Sequence, residues 1–315
     1  MKHQLYLLAG SLFLFLIVVF TLDVLIGCVM RNEFDSQPIT DDKFSLSRYF
    51  HDKATGDMII LGNSRALHHY DVKMIEDSIK EVGKVRNIAA NHVGAIYDDC
   101  MLSQIVKRKV PKVVFFEYME QYIDGSVNET GGIDGLKDYY YSDSRVRVAL
   151  KKLDKYSPIK ELSSIYRLTG LEGWNIVELL DYRVRGIQPT IYESKGYIPI
   201  EGKPIHHPQF SHKKYISPII DPLELEHITH IFELSKEYNF KLYVVVSPTT
   251  LLTYPSNSIT LKEICAKHDI PIFDNSYLPS ITPDMFYDAT HLTEEGAQKY
   301  TAYFISQIKK LDIGI

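Results

Sequence analysis

Two short segments carry residue types that could do covalent chemistry. The first is Leu61-Gly62-Asn63-Ser64-Arg65, which directly follows an apolar run. Gly62 permits a sharp turn. Ser64 then stands at the carboxyl end of a strand, its hydroxyl above the sheet and its amide at the start of a helix. That placement suits a nucleophile whose own N–H helps hold an oxyanion. A serine there also serves as a helix cap, so the segment alone admits a structural reading. The second is Phe286-Tyr287-Asp288-Ala289-Thr290-His291-Leu292. Asp288 and His291 share one loop. The carboxylate can accept a hydrogen bond from His291 Nδ1, fixing the tautomer and leaving Nε2 to take the Ser64 proton. An Asp capping a turn beside a surface His is the competing reading. At the two ends of one α/β pattern, the segments together describe a Ser64–His291–Asp288 triad.

Other polar clusters give weaker signals. His68 and His69 follow the serine segment and could line a site or occupy surface positions on a helix turn. His206, His207 and His212 lie near one another, but no carboxylate or Cys joins them at metal-ligand spacing. His227 and His230 share a helix face without the H-E-x-x-H pattern. Asn128-Glu129-Thr130 is a glycosylation sequon of a kind common by chance. No GxGxxG or Walker loop occurs, so no nucleotide cofactor is expected, and the lack of ligand spacing among the histidines leaves no metal expected either. A net charge of −5 argues against a nucleic-acid partner.

These residues need a scaffold, and the hydrophobic pattern supplies one. Met58–Leu61, Val85–Ala90, Lys112–Tyr118, Leu242–Val246 and Pro271–Asp274 read as strands. Helices are expected from Asp71 to Val82, Ala95 to Lys109, Pro222 to Tyr238, Ile259 to His268 and Glu294 to Leu311, with Thr293 as an N-cap. Strands alternating with helices predict a mostly parallel sheet with helices on both faces, and ligands then bind at the carboxyl ends of its strands. Between about 119 and 220 the alternation breaks. That stretch is too long for a plain loop and reads as an inserted cap, with helices expected over Leu150–Leu168 and Trp174–Tyr182.

The N-terminus has a different character. From Leu5 to Met30 only Asp23 is charged at neutral pH. As a helix this segment would span about 39 Å, enough to cross a hydrocarbon core of about 30 Å. Residues 1–31 are therefore expected to be a transmembrane anchor to the bilayer, with 32–57 an irregular stalk and 58–315 the folded domain. Leu25-Ile26-Gly27-Cys28 resembles a lipoprotein processing box, but the apolar run before it is long and contains Asp23. Lys2 and Arg31 flank the span, and the expected orientation puts the folded domain outside the cytoplasm. Cys100 and Cys265 could pair there or remain buried thiols.

Gly62-Asn63-Ser64 and Asp288-Ala289-Thr290-His291, with Leu292-Thr293-Glu294-Glu295-Gly296-Ala297 after them, resemble the first and last blocks of the SGNH/GDSL hydrolase superfamily. The single span and the mid-chain insertion make the chain more similar to its membrane-anchored branch, which includes proteins of D-alanyl-lipoteichoic acid and alginate O-acetylation. The resemblance covers roughly 58–118 and 222–311. It implies a three-layer, flavodoxin-like α/β fold and a serine esterase or O-acyltransferase for acetyl groups, acting on a cell-surface glycan. A multispanning membrane acyltransferase is an implied partner. It implies Ser64 as nucleophile, His291 as base and Asp288 as its orienter. It also implies an oxyanion hole built from the Ser64 amide and Gly94, with Asn91 as the alternative. The family's third block supplies an Asn, but here that place reads Phe116-Glu117-Tyr118-Met119. A carboxylate there must either point away or pair, for which Arg65 is available. Losing one oxyanion donor costs ~10²–10³ in rate, which weakens catalysis without abolishing it. A non-catalytic scaffold or glycan-binding protein of an envelope polysaccharide system is the alternative.

Overall fold

The structure is a computed structural model that describes residues 2–36, 39, 43–129, 132–153, 162–169, 184, 195–202, 204 and 208–311. The helices are α1 (Lys2–Ser36), α2 (Lys43–Asp52), α3 (Ser64–His69), α4 (Val72–Ser78), α5 (Ala95–Arg108), α6 (Ser126–Glu129), α7 (Ser144–Lys152), α8 (Ser164–Thr169), α9 (Pro222–Glu237), α10 (Ile259–Lys267) and α11 (Glu294–Ile308). The strands are β1 (Met58–Leu61), β2 (Val85–Asn87), β3 (Val113–Glu117), β4 (Ser211–Lys214), β5 (Lys241–Val246), β6 (Leu251–Tyr254) and β7 (Ile272–Asp274). The chain divides into two compact units, one of Met1–Ile39 with Asp134–Thr190, the other of Thr40–Ile133 with Ile191–Ile315.

The second unit is an α/β domain. Its five-stranded sheet runs β2-β1-β3-β5-β7, and every pairing is parallel. This is the flavodoxin-like order, whose switch point lies between the first strand and its neighbour β3. All residues of β1 and β3 are buried, as a sheet covered on both faces requires. Met58, Ile60, Val113, Phe115 and Val245 join one core with Leu67, Ile75, Tyr300 and Phe304, against which α3, α4 and α11 pack. The alternate residues Ile59, Leu61, Val114 and Phe116 point the other way, toward the layer in which α5 packs on α9 and α2. Asp71, Asp221 and Thr293 cap α4, α9 and α11 through their side-chain oxygens.

Several expectations need correction. Residues 32–57 are not an irregular stalk. The first of them continue α1, and 43–52 form a helix whose Leu46 and Phe50 are buried. These two residues are spaced for one helix face. Arg108 donates to the Phe50 and Ala54 carbonyls and holds the end of that helix. β2 ends at Asn87, short of Ala90. Between 119 and 220 the described residues include α6, α7, α8 and β4, and β4 pairs in parallel with β6 in a second small sheet. The expected helix Leu150–Leu168 divides between α7 and α8, with 154–161 outside the described residues, as is all of Trp174–Tyr182. Cys28, Cys100 and Cys265 are free thiols, the last two buried.

In the first unit, α1 is long and apolar enough to cross a membrane. Asp23 accepts from the Ser163 hydroxyl at 2.5 Å and the Ser164 N–H at 2.6 Å, so the one acidic residue of the apolar run is paired. Arg31 pairs with Asp138.

Candidate active site

The turn between β1 and α3 places the serine. Gly62 has φ +140°, and a Cβ on it would lie 2.6 Å from the Glu117 carbonyl oxygen and 2.9 Å from Ala66 Cβ. Only glycine fits this conformation and this close approach of β1 to the end of β3. The Gly62 N–H donates to Asp98 Oδ1 at 3.1 Å. Asn63 caps α3 by accepting from the Arg65 N–H at 3.0 Å. Ser64 is thus the first helical residue, and its N–H has no acceptor within the helix.

The second piece is a closed loop. Phe286 and Leu292 form an antiparallel bridge and both are fully buried. The Tyr287 N–H donates to the His291 carbonyl at 2.8 Å. Asp288 Oδ1 accepts from the Thr290 N–H at 2.8 Å and the His291 N–H at 2.9 Å, which folds the loop around the carboxylate. From outside, the Ala289 carbonyl accepts from the Thr250 N–H at 3.0 Å and from the Thr250 and Thr249 hydroxyls at 2.9 and 3.2 Å. The segment after β5 therefore grips the loop.

The two pieces meet. His291 Nε2 lies 2.7 Å from Ser64 Oγ, and His291 Nδ1 lies 2.8 Å from Asp288 Oδ2. With the Nδ1 proton donated to Asp288, Nε2 is the acceptor for the Ser64 hydroxyl. Burial pushes the Asp288 carboxyl upward. Hydrogen bonds from the His291 ring and from the Thr290 and His291 amides outweigh that effect, so the group sits well below the usual carboxylate range. Asp288 is accordingly ionised at neutral pH and able to stabilise an imidazolium. This arrangement can activate a hydroxyl for attack on an acyl carbon.

The remaining candidates are placed differently. Asn91 is exposed in the loop after β2 and reaches the His68 side chain. His68 stands edge-on to His291, with ring centroids 5.7 Å apart. Gly94 is the N-cap of α5. A Cβ on it would lie 2.6 Å from Val127 Cγ2 and 2.8 Å from Glu224 Oε1, so the backbone is pressed against that wall. Glu117 is buried and pairs with Arg65 at 3.4 Å. It also accepts from the Tyr70 hydroxyl at 2.5 Å and from the Ser247 N–H and hydroxyl.

His69 is not a surface residue. It is fully buried, because α3 lies under α11. His206 and His207 lie outside the described residues, and His212 is in β4. His227 and His230 face α5, where their Nδ1 atoms each lie 2.5 Å from an oxygen of Asp99. Sequence reasoning missed Ser247, Thr249 and Thr250 as supports of the site. Their one visible signal is the end of the apolar β5 run at Ser247-Pro248.

No family model matches the chain, and no curated protein does. Among solved structures it resembles a protein from Bacteroides fragilis described as an acylhydrolase, at 12% identity and a TM-score of 0.35, covering 85% of this chain and 98% of that one. It also resembles a lipase/acylhydrolase from Enterococcus faecalis, at 14% identity and a TM-score of 0.34, covering 80% and 95%. Overlaps this loose carry no functional weight.

Proposed function

We propose that this chain is a membrane-anchored serine esterase or O-acyltransferase of the SGNH/GDSL type, with Ser64, His291 and Asp288 as its catalytic residues. One observation carries the reading: the continuous hydrogen-bonded line from Ser64 Oγ through His291 to Asp288. In the reaction, Ser64 Oγ attacks the acyl carbonyl carbon while His291 Nε2 takes the hydroxyl proton. The negative charge forms on the former carbonyl oxygen, which the Ser64 and Gly94 amides hold, with the Asn91 side chain as the alternative to Gly94. Collapse breaks the bond to the leaving alcohol, which receives the proton from His291. Water or a sugar hydroxyl then attacks the acyl–Ser64 ester by the same steps in reverse.

The proposed acyl group is acetyl and the proposed acceptor or donor a cell-surface glycan, with α1 as a single-pass anchor and the α/β domain outside the cytoplasm. The span and the resemblance of the two motif segments support this assignment. A multispanning membrane acyltransferase is the proposed partner. One observation favours a second reading, a non-catalytic scaffold or glycan-binding protein. The end of β3 carries Glu117 where the resembled family has an oxyanion-binding Asn.

Turnover of 4-nitrophenyl acetate by the full chain in detergent, with and without an added oligosaccharide acceptor, tests the choice. Release of nitrophenol that Ser64→Ala abolishes supports the enzyme. Partition to the sugar supports transferase over esterase. Glycan binding with no turnover supports the scaffold.

A further inference from the structure

His69 lies buried beside the loop that carries His291, and its ring nitrogens end two hydrogen-bonded paths. Nε2 accepts the Leu292 N–H at 3.0 Å, and the same ring meets the Thr290 backbone. His69 therefore touches the chain on both sides of His291. The two rings stand edge to face at 6.5 Å. Nδ1 lies 2.8 Å from Ser247 Oγ. Because Nε2 is an acceptor, the ring proton sits on Nδ1 and is donated to Ser247. Ser247 Oγ in turn donates to Glu117 Oε1 at 2.8 Å. Arg65 Nη2 donates to Ser247 Oγ at 2.9 Å and closes the group. All four residues are buried. Burial lowers the proton affinity of His69, and the charge of Arg65 and the neighbouring His291 and His68 lower it further. The ring stays neutral, and Nε2 stays an acceptor.

Asp288 fixes the ring of His291 within its own loop, but it cannot fix that loop against the serine, because the two move together. His69 can. It ends the same short helix that Ser64 begins, so its bond to Leu292 ties the nucleophile's helix directly to the base's loop. We propose that His69, held by Ser247 and Glu117, is the positioning residue that sets the distance between His291 Nε2 and Ser64 Oγ, an inference that rests on Ser64 being the nucleophile. It also gives Glu117 a task, which is to orient Ser247 and, through it, the His69 tautomer.

The test follows the rate at which a fluorophosphonate labels Ser64 in the full chain, alongside hydrogen exchange of the Leu292 amide. His69→Leu removes both ring nitrogens. It should slow labelling by roughly 10²-fold, the order expected for a misplacement near 1 Å, and expose the Leu292 amide to exchange. His69→Gln offers an amide oxygen to Leu292 and an N–H to Ser247, and should restore labelling to within about tenfold of wild type. Ser247→Ala leaves the backbone intact and should slow labelling in a chain that circular dichroism shows to be folded, although the lost buried hydrogen bonds lower its thermal midpoint. It carries the test if His69→Leu does not fold. Wild-type labelling rates in folded His69→Leu, or in Ser247→Ala, would overturn the proposal. So would Gln failing to rescue a folded Leu variant. A wild-type chain that takes no label at all defeats the nucleophile assignment instead, and that outcome is read separately.

Discussion

Ser64 and His291 lie 227 positions apart in the chain and meet at 2.7 Å. Each comes from the carboxyl edge of the sheet, one on the turn after β1 and the other on the loop before α11. If the pair works as a unit, Ser64→Ala and His291→Ala should each lower kcat for an acetyl ester by at least ~10³-fold, and the double variant should be no worse than either single one. Steady-state kinetics, with circular dichroism to show retained fold, checks this. Additive losses would separate the two roles.

Asp288→Asn should keep the loop, since an amide oxygen can still accept from the Thr290 and His291 amides. It should lower kcat by roughly 10⁴-fold by presenting a donor to Nδ1 and favouring the wrong tautomer. The same carboxyl has a pH signature. Its folded-state value lies below the ordinary 3.8. Its contribution to stability is therefore complete above the ordinary carboxylate range and is lost as pH falls through that range toward the folded value. Urea unfolding across this interval should show the loss in the wild type and a smaller one in Asp288→Asn.

Gly62→Ala should destabilise the α/β domain by about 1–3 kcal/mol, because a side chain is strained at φ +140° and its Cβ meets the Glu117 carbonyl. Activity should fall as well, since the turn aims Ser64. A thermal midpoint equal to that of the wild type would show that the turn relaxes freely.

Asp98 gives a pH dependence of the opposite sign. Burial holds its carboxyl well above 3.8. The Gly62 N–H opposes this, and the nearby Glu224 and Asp99 add to it. The unfolded chain ionises at this residue as pH rises through the ordinary carboxylate range while the folded chain does not, so stability falls with rising pH. Asp98→Asn does not titrate and can still accept from Gly62. Its stability relative to wild type should therefore improve as pH rises through and above the ordinary carboxylate range. A gap that stays constant across that range would contradict a protonated Asp98.

The sheet was legible because its strands are short, wholly apolar runs such as Met58–Leu61, each bounded by turn residues. That Ser64, His291 and Asp288 belong together was legible because their types and local spacing limit what they can do. Helix 43–52 was missed although Leu46 and Phe50 share a face, because its polar composition outweighed so short a pattern. β4 is Ser-His-Lys-Lys, half-exposed to exposed, and gives no hydrophobic signal. The buried group around Glu117 was only partly foreseen. A carboxylate closing an apolar strand demands a partner, and Arg65 was a candidate. Ser247 and His69 come from distant parts of the chain, and a single sequence does not show which polar residues tertiary packing will bring inside.

The most direct measurement treats the full chain in detergent with a fluorophosphonate and locates the adduct by mass spectrometry, with Ser64→Ala and His291→Ala alongside. An adduct on Ser64 in the wild type that disappears in both variants is the predicted result. A folded wild-type protein with no adduct on Ser64, or labelling unchanged in His291→Ala, would contradict an activated nucleophile at this site.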